Sequence, residues 1–121
     1  MTVYRWSAAK ILFITGGSRI EREHCLEEQL AGRVVSLGEF TEELLNAIAE
    51  DVKLSNFRKP YILPERLGFS QIQLLEGKPA TAEELTEILW QRHRAGRPSF
   101  LAGEFVPQTL SRLFGEPDGE M

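Results

Sequence analysis

The sequence predicts an α/β domain: a small mixed sheet of about four or five strands with three or four helices, opening with a βαβ unit. Three observations predict it. A continuous apolar run, Ile11 to Ile14, meets Gly16-Gly17 and then a helix-start signal at Ser18, the pattern of a buried strand turning sharply into a helix. The order repeats at Arg33 to Leu37, which leads into a second amphipathic segment. Further on, Phe69 to Leu75 alternates polar and apolar residues, which predicts an antiparallel or edge strand and makes the sheet mixed.

The elements follow in chain order. Thr2 to Ser7 alternates through Tyr4 and Trp6 and reads as an edge strand or arm. Ser18-x-x-Glu21 is a capping box. It opens a helix with Ile20, Leu26 and Leu30 as its apolar stripe and Gly32 as its stop. After the strand at Arg33 to Leu37, Gly38 and Glu39 read as a turn and Thr41 as the next cap, with Leu44, Leu45, Ile48 and Val52 on one face. The parallel pair so formed is expected to be joined by a right-handed crossover. Asn56 to Leu67, with Pro60 and Pro64, reads as an irregular connection with Tyr61 to Leu63 extended. Glu76 to Pro79 is a turn, and Thr81-x-x-Glu84 reads as a second capping box. It opens a helix bearing Leu85, Ile88, Leu89 and Trp90, closed by Arg92, His93, Arg94 and Gly96. Ser99 to Ala102 is a last short strand. Pro107 starts a final helix with Leu110, Leu113 and Phe114, and 116–121 reads as a frayed tail.

The chain of 121 residues is long enough for one hydrophobic core without disulfides, so 1–121 is expected to be a single domain. Cys25 is the only cysteine, which fits a reducing cytoplasm, and no stretch approaches the ~20 apolar residues of a membrane span. A net charge of −4 argues against nucleic acid as a main partner. Two histidines and one cysteine do not supply a metal site, and no cofactor is expected.

The strand-to-helix turn is the leading candidate site. The backbone N–H groups after Gly16 and Gly17, the Ser18 hydroxyl and the Arg19 guanidinium suit a small anion such as a phosphate. Glu39, Arg58 and Lys59 join the candidate ligand set, and the basic residues Arg66, Arg92, Arg94 and Arg97 are expected either to converge on it or to spread as solvated charge. The competing reading is a turn already satisfied by its own cap, favoured by the carboxylates Glu21 and Glu23. Ser18, His24 and His93 are the candidate catalytic groups. The acidic residues Glu27, Glu28, Glu42, Glu43, Glu50 and Asp51 read as polar helix faces, with mimicry of nucleic acid or binding of a basic protein surface as the alternative, and Tyr4, Trp6, Phe57 and Phe105 as interface anchors or equally as core residues.

Thr15 to Arg19 resembles the opening of the short-chain dehydrogenase fingerprint, but Ile20 and Arg22 occupy the later glycine positions and the catalytic tyrosine–lysine pair is absent. Gly16-Gly17-Ser18-Arg19-Ile20 lacks the last glycine of a nucleophile elbow. Val34 to Gly38, Glu76 to Lys78 and Thr81 to Leu85 loosely resemble the small viral ring nucleases that degrade cyclic oligoadenylate, with Glu39 standing where their catalytic histidine follows the glycine. The function expected is therefore a binding or regulatory module. It works by protein–protein contact or self-association, or by recognising a small nucleotide-like anion at Gly16 to Arg19. The alternatives are a small phosphoester-cleaving enzyme and a structural subunit or inhibitor of a larger protein.

Overall fold

In the computed structural model, which describes residues 1–120 (Gly119 and Glu120 by backbone alone), the chain runs β1 (Thr2–Trp6), β2 (Ile11–Thr15), α1 (Arg19–Leu30), β3 (Arg33–Ser36), α2 (Leu37–Ala49), α3 (Leu54–Ile62), β4 (Leu67–Ser70), a 3₁₀ turn (Ile72–Leu75), α4 (Pro79–Arg94), β5 (Ser99–Ala102), α5 (Gln108–Phe114) and β6 (Gly119–Glu120). One sheet carries the order β3-β4-β5-β2-β1-β6. The first four are mutually parallel; β1 runs antiparallel to β2, and β6 antiparallel to β1. The fold is α/β with a mixed sheet, as the sequence predicts.

Strand alternation divides the core in two. Phe13, Val35, Leu67, Phe69 and Leu101 point to the face covered by α2, α3, α4 and α5 and form the larger cluster. Ile14 and Ala102, with Leu12, Val34 and Phe100 beside them, point to the other face, which α1 covers through Leu26. Gly68 in β4 lets α1 approach: a Cβ there would lie 2.7 Å from a Leu30 methyl. On the larger face Phe40, Phe57, Tyr61 and Phe69 form an aromatic cluster with ring centroids 5.1–6.1 Å apart. The Tyr61 hydroxyl donates to Glu43, and the Arg33 guanidinium lies 5.6 Å from the Tyr61 ring centre.

Arg92 organises that face. It is fully buried. Its guanidinium donates to the carbonyls of Tyr61, Ile62, Pro64, Glu65 and Pro98 and to the Ser99 hydroxyl, at 2.7–3.4 Å. Those acceptors belong to the end of α3, the connection to β4 and the start of β5, so one side chain of α4 ties three segments together. Burial, with Arg97 nearby, lowers its pKa to about 10, which leaves it charged at neutral pH.

Several expectations are corrected. Parallel β2 and β3 are not neighbours: β4 and β5 lie between them. The segment 54–62 is helix α3 with Pro60 inside it, because Arg92 and the aromatic cluster hold it there. The alternation at Phe69 to Leu75 is the end of a fully buried central strand followed by a 3₁₀ turn, not an edge strand. Ser36, not Thr41, caps α2, accepting from the Glu39 N–H at 3.2 Å; Gly38 and Glu39 lie in its first turn. Leu44 is buried as expected, whereas Leu45, Ile48 and Val52 are exposed, and Leu37, Phe40 and Ala47 complete the buried face. On α1 the buried stripe is Arg22, Leu26 and Leu30, Ile20 is exposed, and Ala31 rather than Gly32 supplies the left-handed cap (φ 47°). Helix α4 begins at Pro79, two residues before the expected capping box, and Thr81 is buried within it. The tail is anchored rather than frayed. Asp118 accepts from the Ser7 N–H and hydroxyl, the Trp6 indole donates to the Gly115 carbonyl, and β6 pairs with β1; Met121 lies outside the described residues. Trp6 and Phe57 are core residues, whereas Phe105 remains exposed.

Replacing Arg92 with Met leaves buried carbonyls without donors and is expected to cost about 3 kcal/mol or more in a urea titration, with Arg92→Lys restoring only part. Gly68→Ala is expected to cost about 1–3 kcal/mol by the same measurement, because the new methyl must displace a buried leucine.

Candidate functional site

Ligands of open α/β sheets bind at the carboxyl ends of the strands. Here that crest carries the Gly16-Gly17 turn after β2, the Gly103-Glu104 segment after β5 and the 3₁₀ turn after β4. Its backbone is tightly woven. The Thr15 hydroxyl donates to the Glu104 carbonyl at 2.7 Å, and the Gln73 side-chain oxygen accepts from the Glu104 N–H at 3.1 Å. Gly103 permits this approach, since a Cβ there would come within 2.9 Å of the Gln73 oxygen and 3.1 Å of the Gln73 backbone nitrogen.

The turn itself is occupied by the chain's own groups. Gly16 and Gly17 adopt φ +83° and +63°, conformations that glycine takes without strain. Ser18 caps α1, its hydroxyl accepting from the Glu21 N–H at 3.2 Å, while the Glu21 carboxylate accepts from the Ser18 N–H at 3.1 Å. Arg22, 6% exposed, folds back so that its guanidinium donates to the Gly17 carbonyl at 2.9 Å and the Gly16 carbonyl at 3.5 Å. Met1 packs over both glycines. The hydrogen bonds from the Ser18 backbone and side chain hold the Glu21 carboxyl below its ordinary pKa. Arg19 is solvent-facing and pairs with Glu23 at 3.2 Å.

The other predicted residues are not gathered there. Glu39 lies in the first turn of α2 beyond β3, three strand spacings from β2, or about 14 Å. Arg58 and Lys59 are on α3, on the opposite face of the sheet from α1. The Arg58 guanidinium is held in a two-pronged pair with Glu84 at 2.7 and 2.8 Å. Arg92 is buried, and Arg97 donates to the Ile62 carbonyl at 3.0 Å. Neither does the fold assemble a catalytic set from Ser18, His24 and His93. The Ser18 hydroxyl serves the cap, His24 pairs with Glu28 at 2.9 Å on the exposed side of α1, and His93 packs against Trp90 at the far end of α4. Among the described residues no group of three or more His, Cys, Asp or Glu side chains is placed to hold a metal ion. No helix among them is long and apolar enough to cross a membrane.

Arg22 and Glu21 are the residues that decide the character of the turn. Glu21 is legible from the capping-box spacing. Arg22 carries a weaker signal, its position one helical turn after the cap, which lets a long cationic side chain reach the glycine carbonyls. Gln73 has no local signal.

No protein-family model matches the chain. The chain is similar to the chromosomal replication initiator protein DnaA of Rippkaea orientalis, with 30% identity over 112 residues, 84% of this chain and 24% of that protein. It thus spans about a quarter of the length of that relative. Among solved structures it superposes on a replication initiator DnaA bound to AMPPCP and single-stranded DNA, with a TM-score of 0.73 and 21% identity over 93% of this chain and 40% of that one. It also superposes on domain III of the Thermotoga maritima DnaA, with a TM-score of 0.66 and 24% identity over 88% of this chain and 52% of that one. The fold is that of DnaA domain III.

These similarities overturn the expectation that nucleic acid is an unlikely partner, since a solved structure of the same fold is a replication initiator carrying single-stranded DNA. A net charge of −4 sums the whole surface, whereas phosphate contacts require only a local cluster of cations.

Ser18→Ala is expected to cost about 1 kcal/mol of stability by removing the cap. Because the Glu21 carboxyl is held low in the folded state, its contribution is present above the unfolded carboxylate pKa and is lost as pH falls through the folded value. Thermal denaturation between about pH 5 and about pH 3 should therefore show a smaller loss of stability for Glu21→Gln than for the parent chain.

Proposed function

We propose that the chain is a non-catalytic binding module of chromosomal replication initiation, acting through protein–protein contact, with its glycine turn closed by its own side chains. Its relation to DnaA supports the replication context. The observation that carries the rest is the Glu21 carboxylate seated on the Ser18 N–H, the donor a phosphate at this helix start would use. A phosphate brought to that position meets a carboxylate at close range and is repelled by it. Glu23 adds a second negative charge one turn into the helix, already paired with Arg19. The Arg22 guanidinium, the nearest buried cation, is spent on the glycine carbonyls.

A second reading is recognition of a nucleotide-like anion at Gly16 to Arg19. It is favoured by the exposed Arg19 side chain at the turn and by AMPPCP in a solved initiator of the same fold. It requires Glu21 to swing away and Arg19 to leave Glu23.

Isothermal titration with AMPPCP and magnesium separates the two. The protein-contact reading expects no heat of binding up to millimolar nucleotide, unchanged in Arg19→Ala. Micromolar binding that Arg19→Ala weakens at least tenfold would overturn it and establish the nucleotide reading.

A further inference from the structure

A groove of about 490 Å³ opens between α3, α4 and α5, away from the glycine turn. Glu83, Glu87 and Trp90 line it at i, i+4 and i+7 along α4, and Leu113 of α5 forms the opposite wall. Leu113 is 41% exposed, and the Trp90 ring is supported from behind by Phe114, with ring centres 5.0 Å apart. The groove therefore presents an indole and a leucine to solvent, side chains that the fold leaves without full cover.

Its charge is one-sided. The cation in the lining, Arg58, is consumed by Glu84, a two-pronged pair that also raises the Arg58 pKa. Glu83 makes no ion pair among the described residues. Glu87 accepts one hydrogen bond, from the neutral Gln91 amide at 2.9 Å. Two carboxylates that make no salt bridge among the described residues, and that feel Arg58 only at longer range, thus lead along α4 to the indole. Anions are repelled by this arrangement, and a purely apolar ligand would leave the carboxylates partly desolvated and unpaired. A guanidinium satisfies both features, since its plane stacks on an indole while its edge donates to carboxylates.

We propose that this groove docks a basic segment of a partner protein, with one arginine stacked on Trp90 and donating to Glu87, a second basic side chain meeting Glu83 one turn further along α4, and a neighbouring apolar side chain covering Leu113. The assignment rests on the reading of the chain as a protein-contact module and names the chemistry of the partner. Charge complementarity selects the occupant: the lining keeps two negative charges after its internal pair is counted, so a segment bearing positive charge gains at contact and is steered toward it at a distance.

The probe is a twelve-residue amphipathic peptide of leucine and arginine, labelled with fluorescein and titrated with the full chain by anisotropy. A second peptide has every arginine replaced by citrulline, which keeps the shape and removes the charge. The arginine peptide is expected to bind, with a contact that weakens as salt rises, and the citrulline peptide to bind at least tenfold more weakly. Glu83→Gln with Glu87→Gln should weaken the arginine peptide about tenfold or more, since both charged acceptors are removed. Both carboxylates lie within electrostatic reach of Arg58, but its hydrogen bonds go to Glu84, so the double variant keeps that pair, and unchanged circular dichroism confirms its fold. Trp90→Leu should weaken binding while preserving its salt dependence.

Equal binding of the two peptides, or an undiminished affinity of the double variant, overturns the proposal. So does self-association of the chain that the double variant abolishes while the peptide fails to bind, which would place a second copy in the groove. The nucleotide titration is independent. AMPPCP binding at the glycine turn would overturn the protein-contact reading and leave the peptide result to decide the groove, whereas a silent turn with a silent groove removes the groove alone.

Discussion

The buried guanidinium of Arg92 is the constraint on which the larger half of the core depends. A charge in a protein interior is tolerated only when its donors are matched, and here carbonyl oxygens and one serine hydroxyl do the matching. Several of those carbonyls lie at the end of α3, where unpaired carbonyls and the negative end of the helix dipole collect. The cation therefore caps α3 from the neighbouring helix, fixes the turn through Pro64 and seats the start of β5. Once α3 is held there, Phe57 and Tyr61 complete the aromatic cluster over β4, and Arg58 reaches Glu84 on α4. The same helix pair sets one side of the Trp90 groove, and α5 sets the other through Leu113.

On the other face of the sheet, α1 is placed by fewer contacts and by one absence. Gly68 offers no side chain, Leu30 fills the space, and the helix settles close against β4. Its start is closed by Ser18, Glu21 and Arg22. In many α/β proteins the same strand–turn–helix geometry presents N–H groups to a ligand, and here those of Ser18 and Glu21 are satisfied from within. The groove between α4 and α5 has the opposite character, with carboxylates and apolar surface that the chain does not use itself.

Local chemistry was readable where a few neighbouring residues decide the outcome. The strand from Ile11, the double-glycine turn, the Ser18–Glu21 box, the helix through Leu85 and Leu89 and the strand at Ser99 all appear where their patterns place them. The competing reading of the turn as self-capped was likewise visible in Glu21. Elements decided by distant partners were not. Pro60 and Pro64 read as breakers, yet 54–62 is helical because acceptors thirty residues from Arg92 in sequence must meet its guanidinium. The alternation at Phe69 to Leu75 imitated an edge strand because a buried strand and a 3₁₀ turn were read as one element. Trp6 reads equally as an anchor or a core residue, and the tail decides between them by closing over it through Gly115 and Asp118.

The sequence by itself determined the fold class, the strand-to-helix turn and the residues that cap it, because helix caps, glycine turns and apolar runs act over a few residues. Only the tertiary structure decided the strand order, the separation of Arg58 and Glu39 from the turn, and which charges remain unpaired. Arg58, Arg92 and Glu87 are alike as charged residues in the chain. They become a paired cation, a buried keystone and a carboxylate outside any salt bridge among the described residues only when α3 and α4 lie side by side, because pairing depends on distance in space and not along the sequence.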